Sequence, residues 1–130
     1  MNVAVVSIGS NISPDANVQK ACERLNKEFI VRSVSSFVRT KPLGGVPQPD
    51  FTNGVILLEV DIGIETLKAR LKFIEAELGR QERDNKWGPR EIDLDVLIWN
   101  GQVVDQDYYE RDFLQNAVRE ILPGLNSGGA

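Results

Sequence analysis

The sequence predicts an α+β fold, a four-stranded, mainly antiparallel sheet in the order βαββαβ with helices packed on it. Three observations predict it. Runs rich in β-branched and apolar residues recur at Val3–Ile8, Phe29–Thr40, Asn53–Val60 and Ile92–Trp99. Apolar residues switch to helical spacing after the first run and again after the third. The length of 130 residues suits a single domain with one core.

Val3–Ile8 reads as a buried strand ending at Gly9. Ser13-Pro14 has the form of a helix N-cap followed by proline at the first helical position. Val18, Ala21, Cys22 and Leu25 then define an amphipathic helix. Phe29–Thr40 reads as one continuous second strand. Lys41–Asp50 holds three prolines and two glycines in ten residues, hence a loop of restricted backbone freedom. Asn53–Val60 is the third strand. Ile64, Leu67, Leu71, Ile74 and Leu78 form a helical stripe, with Gly79 where a C-terminal cap belongs. The polar stretch Gln81–Pro89 is a loop, Ile92–Trp99 the fourth strand and Phe113–Leu122 a short third helix. Residues 1–123 are expected to form the domain and 124–130 a flexible tail. Two helices on one face of such a sheet is the ferredoxin-like arrangement, which by itself decides no function.

Composition excludes several chemistries. Without histidine there is no Ser-His-Asp or Cys-His catalysis and no imidazole metal site. The single cysteine, Cys22, cannot form an intrachain disulfide or a zinc cluster, which fits a reducing compartment. The N-terminal Met1–Asn11 stretch has no basic region ahead of its apolar run and is not expected to be a signal peptide. No apolar run is long enough to span a bilayer. The net charge of −4 argues against broad nucleic-acid binding, although a local basic patch can still grip phosphates.

Asp93 and Asp95 alternate with Ile92, Leu94 and Val96. On a strand their Cα atoms lie roughly 6.5–7 Å apart on one face. Two adjacent carboxylates repel unless a cation sits between them. Oxygen-only ligands suit a hard cation such as Mg²⁺, which keeps water and substrate phosphates in its shell. The same spacing also fits the polar outer face of a half-exposed strand. Arg80, Arg83, Lys86 and Arg90 fall within eleven residues just before the pair. Arginine forks match phosphate oxygens, so the whole resembles a Mg²⁺–polyphosphate site, with a solvated, internally paired loop as the alternative. Gly9-Ser10-Asn11 lacks the glycine spacing and lysine of a P-loop, so it is either a plain turn or a binding turn of another kind.

Thr40–Asn53 leaves one strand end and returns at the next, which gathers Thr40, Phe51 and Asn53 around one place. Asn offers a donor and an acceptor to a heterocycle edge, and Phe a stacking face. A rigid hairpin loop with Phe51 in the core is the competing reading.

Taken together these residues resemble the 6-hydroxymethyl-7,8-dihydropterin pyrophosphokinase family. The carriers are Gly9-Ser10-Asn11, Ser35-Ser36-Phe37, Arg39-Thr40 with Pro42-Leu43, Pro49-Asp50-Phe51 with Asn53, Glu75 with Gly79-Arg80, and Trp87-Gly88-Pro89-Arg90 with Asp93 and Asp95. The resemblance implies Mg²⁺-dependent transfer of pyrophosphate from ATP to the pterin hydroxymethyl group, with AMP as the other product, in folate biosynthesis. It implies Asp93 and Asp95 as ligands of two Mg²⁺ ions, and Arg80 and Arg90 as catalytic, phosphate-handling arginines. Gly9, Thr40, Pro42, Leu43, Phe51, Asn53 and Phe113 would bind the pterin, with Phe51 and Phe113 sandwiching its ring. Glu75, Arg83, Trp87 and Arg111 would bind the nucleotide. Asp105–Glu110 is shorter than the family's segment and lacks its Pro-His pair, so Tyr108 or Tyr109 is expected to stack on adenine instead. The expected partners are ATP and the reduced pterin, with no nucleic acid and no membrane, in a cytoplasmic monomer. The alternative is a weakened paralogue that binds pterin or nucleotide without turnover. A third is a protein-interaction module with no small-molecule ligand.

Overall fold

The computed structural model describes residues 1–45, 47–83 and 88–122. The strands are β1 (Asn2–Ser10), β2 (Ile30–Val34), β3 (Val38–Thr40), β4 (Phe51–Val60), β5 (Asp93–Trp99) and β6 (Gln102–Val103). The helices are α1 (Pro14–Glu28), α2 (Ile64–Glu77), α3 (Asp107–Glu110) and α4 (Asp112–Ile121). The expected tail 124–130 lies outside the described residues.

The α+β class holds, but the sheet has six strands rather than four. Its order is β2-β4-β1-β5-β6, with β3 also paired to β4, and every pairing is antiparallel. Two split βαβ units interleave. β4 lies between β1 and β2, and β1 lies between β4 and β5. The expected single strand Phe29–Thr40 is broken into β2 and β3. At the break the buried Ser35 takes the place of ladder pairing. Its N–H donates to the Val55 carbonyl and its hydroxyl accepts the Val55 N–H, both at 2.9 Å. Gly54 leaves room for Phe37 there, since a Cβ would lie 2.7 Å from the ring.

Period-two alternation along the strands separates two cores. Ala4, Val6 and Ile8 of β1, Ile56 and Leu58 of β4, and Leu94 and Val96 of β5 pack against Leu25 of α1 and Leu67, Leu71 and Ile74 of α2. Each Val, Ile and Leu among them contributes about 1.5–3 kcal/mol by leaving water. Val5, Val55 and Ile98 face the other side, where Tyr108, Leu114 and Val118 cover them. The third helix therefore lies on the sheet face opposite α1 and α2. α4 covers only part of that face, and the candidate site is built on the rest.

Helix ends follow the sequence in position more than in chemistry. Pro14 opens α1 as expected, but Ser13 caps nothing with its side chain and sits at φ 42°. Gly79 follows α2 at φ 98°, a left-handed conformation that glycine adopts at little cost. Its N–H donates to the Ala76 carbonyl and that of Arg80 to the Glu75 carbonyl, a Schellman closure that turns Arg80 toward β5.

Candidate active site

Three neighbouring strands present one row of residues. Gly9 of β1 pairs with Asn53 of β4 on one side and with Asp93 of β5 on the other. A Cβ at Gly9 would lie 2.7 Å from Asn53 Oδ1, so only glycine lets the asparagine cross the row. Asn53 Nδ2 in turn donates to Thr40 Oγ1 at 2.6 Å. Above this row opens a cleft of about 610 Å³. Thr40, Pro42, Leu43, Phe51, Asn53 and Phe113 line it, as do Gly9, Arg80, Arg90, Arg111 and Asp93. Of the expected pterin residues every one is therefore gathered in a single place, with Lys41, Gly88, Asp107 and Glu110 beside them.

Asp93 and Asp95 share a face, as their spacing requires, yet they open onto different cavities. Asp93 lines the large cleft, whereas Asp95 lines a second cavity of about 220 Å³. The walls of that second cavity include Leu71, Val96 and Val104, with Lys68, Lys72 and Asp105 at its polar parts. The aspartate pair stands at the boundary between the two.

Electrostatics at the pair is unbalanced. Arg80 Nη1 lies 3.0 Å from Asp93 Oδ1 and 2.9 Å from Glu75 Oε1. Lys72 Nζ lies 3.8 Å from Asp95 Oδ1 and 3.4 Å from Glu75 Oε1. Two cations thus face three carboxylates. Burial, and then the Asp93 charge, push the Asp95 carboxyl up to about 7. Burial also raises the Glu75 carboxyl, against the opposing pull of the Leu94 amide and of Lys72 and Arg80. Burial opposes the charge on Arg80, but Glu75 and Asp93 more than offset it and hold the guanidinium firmly protonated. The excess negative charge on hard oxygen donors suits Mg²⁺. Among the described residues no group of three His, Cys, Asp or Glu side chains is arranged to hold a metal. The two aspartates could hold Mg²⁺ with water and substrate oxygens completing its shell, as this ion prefers.

Other expected nucleotide residues are placed differently. Arg111 lines the cleft, 3.9 Å from Asp107 Oδ2. Arg83 lines neither cavity and forms a two-pronged pair with Glu91 at 2.7 and 2.8 Å. Glu75 is 3% exposed and lines neither cavity. Trp87 lies outside the described residues. Tyr108, one of the two expected adenine partners, is buried in the core under α4, while Tyr109 is exposed.

The sequence reading overlooked what Asn11 does. It is buried, and its Nδ2 donates to Gln48 Oε1 at 2.7 Å and to the Pro49 carbonyl at 3.0 Å. The loop that carries Pro42 and Leu43 is tied by it to the segment that carries Arg90. No local pattern marks this role. Glu75 did carry a signal, a carboxylate four residues after Leu71 on the apolar stripe of α2.

The family model of 7,8-dihydro-6-hydroxymethylpterin-pyrophosphokinase matches residues 5–123. The chain belongs to this pyrophosphokinase family. It is 31% identical to the 2-amino-4-hydroxy-6-hydroxymethyldihydropteridine pyrophosphokinase of Haemophilus influenzae over 137 residues, covering 96% of the chain and 84% of that relative. Identity to the enzyme of the same name from Methylorubrum extorquens is 36% over 140 residues, covering 99% and 88%. To that of Pseudomonas aeruginosa it is 40% over 104 residues, covering 77% and 63%. Pyrophosphokinases of this family are ATP-dependent diphosphotransferases of folate biosynthesis.

Proposed function

We propose that this chain transfers pyrophosphate from ATP to the hydroxymethyl group of 6-hydroxymethyl-7,8-dihydropterin and releases AMP. The observation that carries the reading is the aspartate pair standing between two cavities, Asp93 in the large cleft and Asp95 in the small one. A donor and an acceptor held in adjoining cavities meet where the charge must be managed.

The large cleft takes the pterin. Phe51 and Phe113 offer ring faces to a flat heterocycle. Asn53 and Thr40, already joined by a hydrogen bond, offer polar atoms to its edge. The small cavity takes the nucleoside, with apolar walls from Leu71, Val96 and Val104. Arg80, Arg90 and Arg111 neutralise phosphate oxygens across the large cleft. The hydroxymethyl oxygen gives up its proton to solvent and forms a bond to the β-phosphorus as the bond to the oxygen shared with the α-phosphate breaks, which releases AMP. Such a transfer asks mainly for alignment and charge stabilisation, which a chain without histidine supplies. Asp93 and Asp95 would hold Mg²⁺, two ions by our reading, which when bound neutralises the polyphosphate and polarises its oxygens. Arg83 and Trp87 complete the proposed nucleotide contacts, Arg83 after release from Glu91.

The proposed state is a cytoplasmic monomer built on residues 1–123, working without nucleic acid or membrane. Among the described residues no helix is long and apolar enough to cross a membrane. Incubation with ATP, Mg²⁺ and the reduced pterin is expected to yield AMP, and omission of the pterin to abolish it. Asp95→Ala is expected to remove most of the activity, and unchanged turnover would exclude the metal role. A second reading, a binder without turnover, is favoured by the burial of Tyr108 in the core. Calorimetry separates the two, since a binder takes up pterin but no ATP analogue in the presence of Mg²⁺.

A further inference from the structure

We propose that Glu75 is a positioning residue that aims the aspartate pair and Arg80 without touching either substrate. The proposal rests on the reading of Asp93, Asp95 and Arg80 as the phosphate-handling centre.

Glu75 lies on the buried stripe of α2 and is closed off from both cavities. Its Oε2 accepts the backbone N–H of Leu94, the residue between the two aspartates, at 2.6 Å. Its Oε1 lies 2.9 Å from Arg80 Nη1 and 3.4 Å from Lys72 Nζ. The same Arg80 nitrogen reaches Asp93, and the same Lys72 ammonium approaches Asp95. Each aspartate is thus joined to Glu75 through a cation of its own, and the backbone between them is joined to it directly.

The backbone contact has a physical reason. β5 pairs with β1 on one edge, while β6, on the other edge, pairs only with Ile98 and Trp99 among the described residues. Among the described residues, then, no strand lies beside the outer edge at Leu94. A buried N–H left unpaired there would be costly, and Glu75 supplies the acceptor that a strand would otherwise give. The aspartates project from the residues on either side of that anchor, so their aim depends on it. A buried carboxylate survives only when its charge is met, and Arg80 and Lys72 meet it. In return they are held where phosphate must arrive.

The test is a double-mutant cycle on the full chain, with kcat expressed per molecule able to bind pterin. Glu75→Gln keeps the shape but turns an amide donor toward one set of partners. It is expected to lower kcat about 10–100-fold, the range for residues that orient a charged centre, with the pterin KM unchanged. In an Arg80→Ala background the same substitution is expected to cost only about threefold, because the group being oriented is gone. A loss of equal size in both backgrounds, or no loss in the wild-type background, overturns the proposal. Lys72 is exposed, so Lys72→Met asks the same question where Glu75→Gln does not fold. Its expected result is a kcat about 3–10-fold lower with the pterin KM unchanged, and an unchanged kcat overturns the proposal. A wild-type chain that forms no AMP defeats the functional reading and this proposal together. An active wild-type chain indifferent to Glu75→Gln defeats this proposal alone.

Discussion

Asn11 and Arg90, 79 residues apart, bind each other through two hydrogen bonds. The Asn11 N–H donates to the Arg90 carbonyl at 3.1 Å, and the Arg90 N–H donates to Asn11 Oδ1 at 2.9 Å. The remaining side-chain nitrogen of Asn11 holds Gln48 and Pro49. One buried amide at the end of β1 therefore fixes both the loop on the pterin side of the cleft and the segment carrying Arg90.

Asn11→Ala removes the side-chain half of this junction, the acceptor of the Arg90 N–H and the donor to the Pro49 carbonyl. Each lost hydrogen bond is expected to cost about 0.5–1.5 kcal/mol in stability, since Arg90 is half-buried and Pro49 exposed, so that water reaches their freed groups. Both substrate KM values are expected to rise, because both loops lose one anchor. Denaturant titration and steady-state kinetics measure the two effects. A rise confined to one substrate would mean that the loops are held independently.

Gly9→Ala tests the row of Asn53, Gly9 and Asp93. The added methyl group must displace Asn53 Oδ1, and with it the donation to Thr40. Lost alignment of one hydrogen-bonding side chain corresponds to about 1 kcal/mol, or roughly fivefold, in pterin affinity. Calorimetry with the pterin alone is expected to show the weakening, while the melting temperature of the free protein moves little.

Asp95 makes a pH prediction for the metal-free protein. Its folded pKa, raised by burial and by Asp93 to about 7, lies above the ordinary value of 3.8. The folded state therefore holds this proton more tightly than the unfolded state. The associated stability is present below about pH 4 and is lost as pH rises through 7. Asp95→Asn is expected to raise the melting temperature at pH 8 without Mg²⁺ and to abolish AMP formation. Wild-type protein is expected to regain stability at pH 8 on addition of Mg²⁺ and the variant to gain far less. Melting curves from pH 5 to 8, with and without the ion, decide it.

Glu91 predicts the opposite sign. The hydrogen bonds from Arg83 hold its carboxyl near 2, below the ordinary value of 4.5. Its stabilising contribution is present above pH 4.5 and is lost as pH falls toward 2. Glu91→Gln is expected to flatten the acid limb of the melting profile between those values and to free the Arg83 guanidinium. An acid limb identical to that of the wild type would show that the pair contributes nothing to stability.

The legible part of this molecule is the part written in short periods. The short run Val3–Ile8, rich in β-branched residues, marked a buried strand, and the alternation that opens Ile92–Trp99 marked a half-buried one, whose residues report the face on which they lie. The stripe from Ile64 to Leu78 marked α2 for the same reason, at the helical period. Asp93 and Asp95 had to share a face whatever their partners were. The resemblance in the glycine turn, the proline-rich loop and the carboxylate pair was enough to name the family.

The single strand Phe29–Thr40 was illegible as two, because composition stays strand-like through a break that Ser35 bridges by hydrogen bonds to Val55. Tyr108 was illegible as core, since only the packing of α4 against the sheet buries it. Arg83 looked available in the sequence because Glu91, eight residues on, becomes its partner only when the segment folds back.

By itself, then, the sequence determined the four main strand segments and three of the helices, the class of fold, the common face of Asp93 and Asp95, and the family. Each follows from local spacing or from residues in a recognisable order. Only the tertiary structure decided that Asp93 and Asp95 open onto separate cavities, that Glu75 lies buried beneath them, and that Asn11 joins two loops. Those relations link residues far apart in the chain, and they arise from which surfaces must pack together, for which no local pattern exists.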